Sequence, residues 1–500
     1  MRRPRLLNVL LAAALSAAPT ARAYESPEPA QELPGVTVGE IRVSRLNVFD
    51  PNVPGEDIWP FQIANKLHFS TREHVIRREM LFAPGDAWDA LKVIESERNL
   101  RANGSFRRAD IIALKQPDGR VDALVQTQDS WTTNPRFSAG TEGGESFFGL
   151  GIEEGNILGY GKSTAFDYER VGAKTSQSYS YGDPRFMGTR LALNGRYSHG
   201  TKGDSGQASL THPFYSLDSP QATATSWNRT VSQAPLYRDA LEFSKFQERR
   251  RTAEASYGVR LNDDRLFVQR VEAGWYTDRV KFEPLPETLA GTLPLDRELS
   301  GPTLGYSWVQ ARYVKENYID RMERVEDFNL GNEFSLRGGW MGRSLNSDRD
   351  RLIFNAVNQH GLSFAPGRFA IARVGLMGRM ANGTVENGLV TGNLNVFWKT
   401  NWRGDHTLVG HIEGGYGRFL DRDSYIALGG NTGLRGYKNN SFIGGKAVLL
   451  NFEDRFFFER EWFHLVRMGA AVFVDTGAIS TEADALTLRD LKSDLGAGLR

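Results

Sequence analysis

Beyond Pro135 apolar and polar residues alternate in segments of about ten residues, separated by Gly, Asn, Asp and Pro, the period-two signature of strands with one oily and one wet face. Residues 388–400 place Val390, Leu394, Val396 and Trp398 on even positions and Thr391, Asn393, Asn395 and Lys399 on odd ones. Residues 406–419 repeat the pattern, with Leu408, Ile412 and Tyr416 opposing His411 and Glu413. In residues 446–458 Val448, Leu450, Phe452 and Phe456 oppose Asn451, Glu453 and Arg455. Asp454 falls on the oily side there, which means either a place at a polar boundary or a misjudged register.

Residues 36–131 carry a different texture, that of a small α+β unit. Residues 41–48 alternate as a strand. Ser70-Thr71-Arg72-Glu73 has the form of a capping box opening a helix to about Phe82. Pro84-Gly85-Asp86 breaks the chain, Asp86 is placed to cap a second helix, and Trp88, Leu91, Ile94 and Leu100 form its apolar stripe before Gly104 ends it. Residues 106–114 and 120–131 are strands joined by the turn Pro117-Asp118-Gly119. The predicted order is strand, helix, helix, strand, strand.

The N-terminus sets the compartment. Arg2, Arg3 and Arg5, an apolar stretch over 6–18 and Ala21-Arg22-Ala23 have the layout of a secretory signal peptide over residues 1–23. The apolar stretch is too short for the roughly 20 residues of a membrane-spanning helix. Residues 24–35, with Pro27, Pro29 and Pro34, are a linker. Lys and Arg (61) balance Asp and Glu (60), which argues against a nucleic-acid partner, and an exported chain without cysteine has no disulfide and no thiolate ligand. The 52 glycines, 11% aromatics and a negative mean hydropathy suit strands that are apolar only at every second residue. A soluble sandwich or propeller also alternates, but so long a run behind an export signal favours a mainly β protein in which residues 132–500 form a transmembrane antiparallel β-barrel, since closure leaves no unpaired backbone in lipid.

One constellation carries a resemblance. The glycine-rich stretch Tyr425-Ile426-Ala427-Leu428-Gly429-Gly430-Asn431-Thr432-Gly433-Leu434-Arg435-Gly436-Tyr437 precedes Asn451-Phe452-Glu453-Asp454-Arg455 and then Phe473-Val474-Asp475-Thr476-Gly477. It resembles the BamA/TamA, or bacterial surface antigen, family of outer-membrane channels. The resemblance implies a barrel of about sixteen strands, with an inward-folded loop whose Arg435-Gly436-Tyr437 tip meets Glu453 and Asp475. Parity is consistent: Glu453 shares a face with Asn451 and Arg455, and Asp475 opposes Met468, Ala470, Val472 and Val474. A guanidinium fork can engage two carboxylates and pin a loop that Gly429 and Gly430 leave free, whereas a lone loop arginine would ordinarily contact water. Residues 156–162 and 181–184 are similar to the family's early barrel turns. Residues 36–131 resemble its periplasmic polypeptide-transport-associated (POTRA) domain, with residues 96–100 and 104–106 at the second helix and following turn. The same resemblance implies two further closing strands after the segment that ends at Arg500, and a single POTRA domain departs from the several of the family's essential insertase.

The function so implied is a cofactor-free outer-membrane channel, favoured as a monomer, that inserts or secretes an unfolded or extended polypeptide client and contacts outer-membrane lipid, with its N-terminal domain in the periplasm. A passive porin or a lipid-handling barrel is the alternative. An enzyme is a weaker one: Gly203-Asp204-Ser205-Gly206 has the form of a serine nucleophile segment but also of a strand turn, and no motif places a histidine with it. Gly155 with Gly161-Lys162-Ser163 nearly spells a phosphate loop at the wrong spacing, and His406 and His411 belong to opposite strand faces, poorly placed to share a metal.

Overall fold

The structure, a computed structural model, describes residues 32–49, 58–142, 145–238, 240–320, 325–400, 405–462 and 466–499. The expected signal peptide and all but the end of the expected linker lie outside the described residues.

The N-terminal unit comprises strand β1 (Val38–Leu46), helices α1 (Trp59–Leu67), α2 (Glu73–Arg77) and α3 (Ala90–Ala102), and strands β2 (Phe106–Lys115) and β3 (Val121–Asp129). The sheet order is β1-β3-β2, with β1 parallel and β2 antiparallel to the central strand. Ile41, Ile76, Trp88, Leu100, Phe106 and Val125 lie in its core. Gly119 takes a positive φ of 83° in the expected turn, where a side chain would be strained.

The helices correct the sequence reading. Helix α1 was not anticipated; its apolar stripe Trp59, Ile63 and Leu67 is exposed, and Phe61 is the side chain it buries. Helix α2 stops at Arg77, short of Phe82, and its N-cap is Arg72 with no side-chain bond. The expected capping box of Ser70 and Glu73 is absent: Glu73 accepts from Arg77 Nε (2.7 Å), and the segment before the helix is fixed by tertiary contacts, Thr71 N–H donating to Asp129 Oδ2 (2.7 Å) and Thr71 Oγ1 accepting from Asn156 Nδ2 (2.8 Å). Helix α3 is capped by Asp89, whose carboxylate accepts from Lys92 N–H, while Asp86 closes the preceding turn by accepting from Ala83 N–H. Its buried face runs through Val93, Ser96 and Leu100, and Leu91 is exposed.

Beyond this unit, eighteen described strands, from Thr133–Glu142 to Lys492–Leu499, form a large sheet of antiparallel neighbours whose order returns to its start as a barrel. The expectation of about sixteen is therefore corrected. Six short strands between residues 133 and 212 make three close-set hairpins that the alternation alone does not resolve. Gly203 shows how tight they are, since with its φ of 131° a Cβ there would stand 1.9 Å from Val231 O. Lys492–Leu499 neighbours Thr133–Glu142 in the strand order.

The two faces follow the alternation. Val390, Ile412, Tyr416, Leu450 and Phe452 are exposed on the outside, whereas Phe397 is buried within. Asp454 needs no change of register: its carboxylate meets His406 Nδ1 on the neighbouring strand at 3.3 Å. Aromatic rings gather at two outer levels. Phe267, Trp308 and Phe334 cluster toward the N-terminal unit, with Trp308 and Phe334 stacked at 4.2 Å, and Trp227, Trp275 and Trp340 stand exposed farther along the strands.

Successive turns at the near end hold the N-terminal unit. Arg72 N–H donates to Gly159 O (2.9 Å), Arg185 pairs with Glu79, Leu217 N–H donates to Glu95 Oε1 (2.9 Å) and Arg265 pairs with Asp89 (2.7 Å). The turn at 156–162, read from the sequence as an early barrel turn, supplies the first of these contacts, and Arg185 directly follows the turn at 181–184.

Candidate functional site

The far-end loop between strands Asp405–Arg418 and Lys446–Trp462 folds back against the inner wall. Its entry is shaped by Gly429 (φ 126°) and Gly430 (φ 55°), angles that disfavour a side chain. Leu434 is fully buried against Leu428 and Leu449, which drives the insertion. At the tip Arg435 donates from Nε and Nη2 to the two oxygens of Asp475 (2.8 Å each) and from Nη1 to Glu453 Oε2 (3.2 Å). Its guanidinium also covers the Phe473 ring at 3.3 Å. Asp475 has no solvent exposure and takes a further bond from Asn451 Nδ2 (2.8 Å), which also donates to Gly433 O (3.0 Å).

The remaining residues singled out by sequence assemble around this pair. A Cβ on Gly436 would stand 2.7 Å from the Cβ of Asp494, so only glycine lets the tip approach the last strand. Tyr437 packs edge-on to Phe442 (5.2 Å), and a Cβ on Gly477 would meet Leu428 Cδ1 at 3.1 Å. Arg455 donates from Nε to Glu453 Oε1 (2.9 Å). All ten of these positions thus lie in or beside one contact network. Asp494 is registered opposite Asp475, a juxtaposition that only the pairing of the two strands reveals.

A second inserted segment was not foreseen. Between strands Arg297–Gln310 and Glu333–Met341 the chain forms a small hairpin, Tyr313–Glu316 with Glu326–Asn329, that enters from the near end. Ile319 and Leu330 are buried against the inward-facing Phe369, Phe397 and Val409. Arg455 Nη1 donates to Ile319 O (2.8 Å) and to Asp320 Oδ1 (3.1 Å), so Arg455 joins this hairpin to the Glu453 partner of the loop tip. At its base Lys315 pairs with Glu97 (2.8 Å), and Arg101 makes a bidentate pair with Asp327 (2.7 and 2.8 Å). A chain of ion pairs therefore runs from helix α3 through the hairpin to Arg435. A cavity of about 510 Å³ lies beside it, bounded by Asp320, His411, Asn431, Arg435 and Arg455.

No protein-family model matches the chain. A stretch of 143 residues, 28% of the chain, is 26% identical to the outer membrane protein assembly factor BamA of Neisseria meningitidis serogroup B and spans 18% of that relative. Among solved structures, the match to CdiB from Escherichia coli covers 93% of this chain and 76% of that one (TM-score 0.45, 8% identical). CdiB from Acinetobacter baumannii covers 98% and 89% (0.43, 12%), and BamA from Haemophilus ducreyi lacking POTRA domains 1–3 covers 92% and 85% (0.35, 12%). Superpositions at this level add nothing to what the strand order itself shows.

The rival motifs of this chain do not come together as a catalytic or phosphate-binding constellation. A histidine does lie near Ser205, since His199 Nδ1 meets Asp204 Oδ1 at 2.5 Å, but adjacent strand residues face opposite sides, so Ser205 cannot join that pair. Gly161 and Lys162 belong to the turn that docks on helix α2, with Lys162 paired to Asp183 (3.1 Å). His406 serves Asp454, and His411 accepts or donates to Asn395 (2.7 Å). No group of three metal-ligating side chains occurs among the described residues.

Proposed function

We propose that this chain is an outer-membrane channel that inserts or secretes polypeptide clients, with the sheet spanning the membrane as a barrel and residues 36–131 acting as a POTRA-like domain in the periplasm. The N. meningitidis relative is by its name an outer-membrane assembly factor, and both the apolar outer face between two aromatic levels and the export signal suit that membrane. The observation that carries the reading is the double closure of the lumen. A passive pore needs an open polar passage, whereas here the inserted loop and the inserted hairpin are tied to each other through Arg455 and to the N-terminal unit through Arg101 and Lys315. That arrangement suits a gate that responds to something bound at the N-terminal unit.

The sheet edges indicate where a client would bind. On β2 the outer edge is occupied, because Glu97 Oε1 accepts from Ile111 N–H (2.8 Å) and Arg101 Nη1 donates to Ala109 O (3.1 Å). Strand β1 pairs on one side only, and over residues 41–46 no backbone hydrogen bond leaves its other side among the described residues. An extended peptide can add there as a fourth strand, reading backbone and therefore many sequences. Photo-crosslinkers at Arg42 and Ser44 of the full chain, in cells, should capture an exported polypeptide, and one at Ile112 on β2 should not. Equal capture from both edges would remove the proposed route, and no capture together with steady open-pore conductance would favour the passive porin.

A further inference from the structure

Three neighbouring strands, Gln221–Arg238, Leu241–Arg260 and Phe267–Pro284, carry an unusual row on their outer surface. Arg229 is registered opposite Arg251, and Arg251 opposite Arg279; one step farther from the N-terminal unit Arg249 stands opposite Lys281. All five are exposed. They lie on the outer face because they share the parity of exposed Trp227, Tyr257 and Trp275, while the alternate residues Phe246, Val280 and Phe282 form a buried cluster within. Like charges placed directly opposite on a sheet, with Cβ atoms about 4.5–5.5 Å apart, repel one another, so such a row is stable only with an anion or abundant water over it.

Internal acids do not neutralise the row. Arg249 meets Glu283 at 3.0 Å and Arg279 approaches Glu298 at 3.9 Å, but Arg229, Arg251 and Lys281 have no ion pair among the described residues. Asp204, opposite Val231 on the flanking strand, is engaged with His199. The inner face of the same strands behaves differently: Arg250 is held by a bidentate bond to Asp278 (2.9 and 2.6 Å). At the level of the row, the inner-face arginine is therefore neutralised and the outer charges are not.

Its level on the strands identifies the ligand chemistry. Trp227 lies two residues and Trp275 four residues nearer the N-terminal unit than the arginines beside them, so the row sits just beyond the upper aromatic level, where headgroups begin. Below it Ala253, Ala255 and Ala273 make a shallow trough walled by Trp227, Tyr257 and Trp275, a surface on which acyl chains can lie. Planar guanidinium forks match phosphate oxygens better than ammonium groups do.

We propose that Arg229, Arg251 and Arg279, with Arg249 and Lys281, bind the phosphate groups of a phosphorylated lipid in the outer leaflet, its acyl chains lying over the alanine trough. The site rests on the reading that the barrel spans the outer membrane with its far end outside. It is independent of client handling, because none of the five basic residues touches the lumen network or the N-terminal unit.

The full chain in detergent, titrated with diphosphoryl lipid A and followed by native mass spectrometry and thermal shift, tests the site. The R229Q/R251Q/R279Q variant should lose affinity by at least about tenfold, and R251Q alone by a smaller factor. Phosphatidylglycerol should bind the wild type more weakly, and sodium phosphate at the same concentration should not displace the lipid. Undiminished lipid binding by the triple variant overturns the proposal, as does displacement by free phosphate, which would leave a simple anion site. Heat-modifiable mobility of each variant shows that it has folded, with R251Q as the milder probe if the triple variant fails. Insertion of the wild type into phosphatidylcholine vesicles separately tests the membrane-spanning reading, so the two ideas can fail independently.

Discussion

At the scale of single residues, Arg435 and Asp475 concentrate the energetics of the lumen. Asp475 is fully buried, and its charge is tolerable only because four donors, two from the Arg435 guanidinium, one from the Arg435 backbone N–H and one from Asn451, converge on it. Arg435→Ala leaves that carboxylate buried without its cation, an effect expected to cost about 3 kcal/mol or more. It should appear as a lower unfolding temperature of the heat-modifiable species and as larger channel conductance. Arg435→Glu should act in the same direction and the exchange with Asp475→Arg should partly restore it; identical conductance in all of these proteins would sink the pinned loop. Glu95 offers a test in pH. Burial pushes its carboxyl above the usual carboxylate range, against the pull of the Leu217 N–H bond and the Arg98 charge. The folded state therefore favours the protonated form, so this contribution is full below the ordinary carboxylate pKa and is lost as pH rises through the folded value. Thermal melts across that interval should decline more steeply in the wild type than in Glu95→Gln.

At the scale of elements, the hairpin at residues 313–329 connects the two ends of the network. Its strands are four residues each, too short for alternation to register, and in sequence it looks like any polar connection. Only its place inside the barrel gives Ile319 and Leu330 their burial and Asp320 its partner. The pair Arg101–Asp327 should show coupling of about 1–3 kcal/mol in a double-mutant cycle, because both side chains are largely buried and the bond is bidentate. The readout is the stability of the full chain, and additivity within a few tenths of a kcal/mol would mean that the hairpin is not anchored there. The helices were less legible than the strands for a related reason. Ser70 and Asp86 have the right chemistry for caps, yet the helix after Ser70 starts only at Glu73 with Arg72 as its N-cap, and a local turn claims Asp86.

At the scale of the whole molecule, the loop from the far end and the hairpin from the near end meet at Arg455, so neither closes the lumen alone. Replacing residues 313–329 by a short Gly-Ser linker should raise conductance, and combining it with Arg435→Ala should raise it beyond either change. If the hairpin variant conducts like the wild type, the loop suffices as the plug. Arg455→Ala makes a finer cut, since it removes the bonds to both Ile319 O and Asp320 while leaving Arg101–Asp327 intact. Hydrogen exchange over residues 429–437 should then no longer respond to Lys315→Glu, whereas in the wild-type background that substitution should speed it.

The alternating apolar and polar residues determined by themselves that the chain makes long strands with one oily face, because period two is a local property of the backbone. The Arg-Gly-Tyr tip and its two acids were legible because glycines, one arginine and acids of known parity fix which side chains can share a face. What only tertiary structure decided was the number of strands, the second inserted segment, the edge of the N-terminal sheet left open and the alignment of Arg229, Arg251 and Arg279. Each depends on which strand lies beside which and in what register. Register is set by the summed packing of the closed sheet, so residues far apart in sequence become neighbours only once the ring has formed.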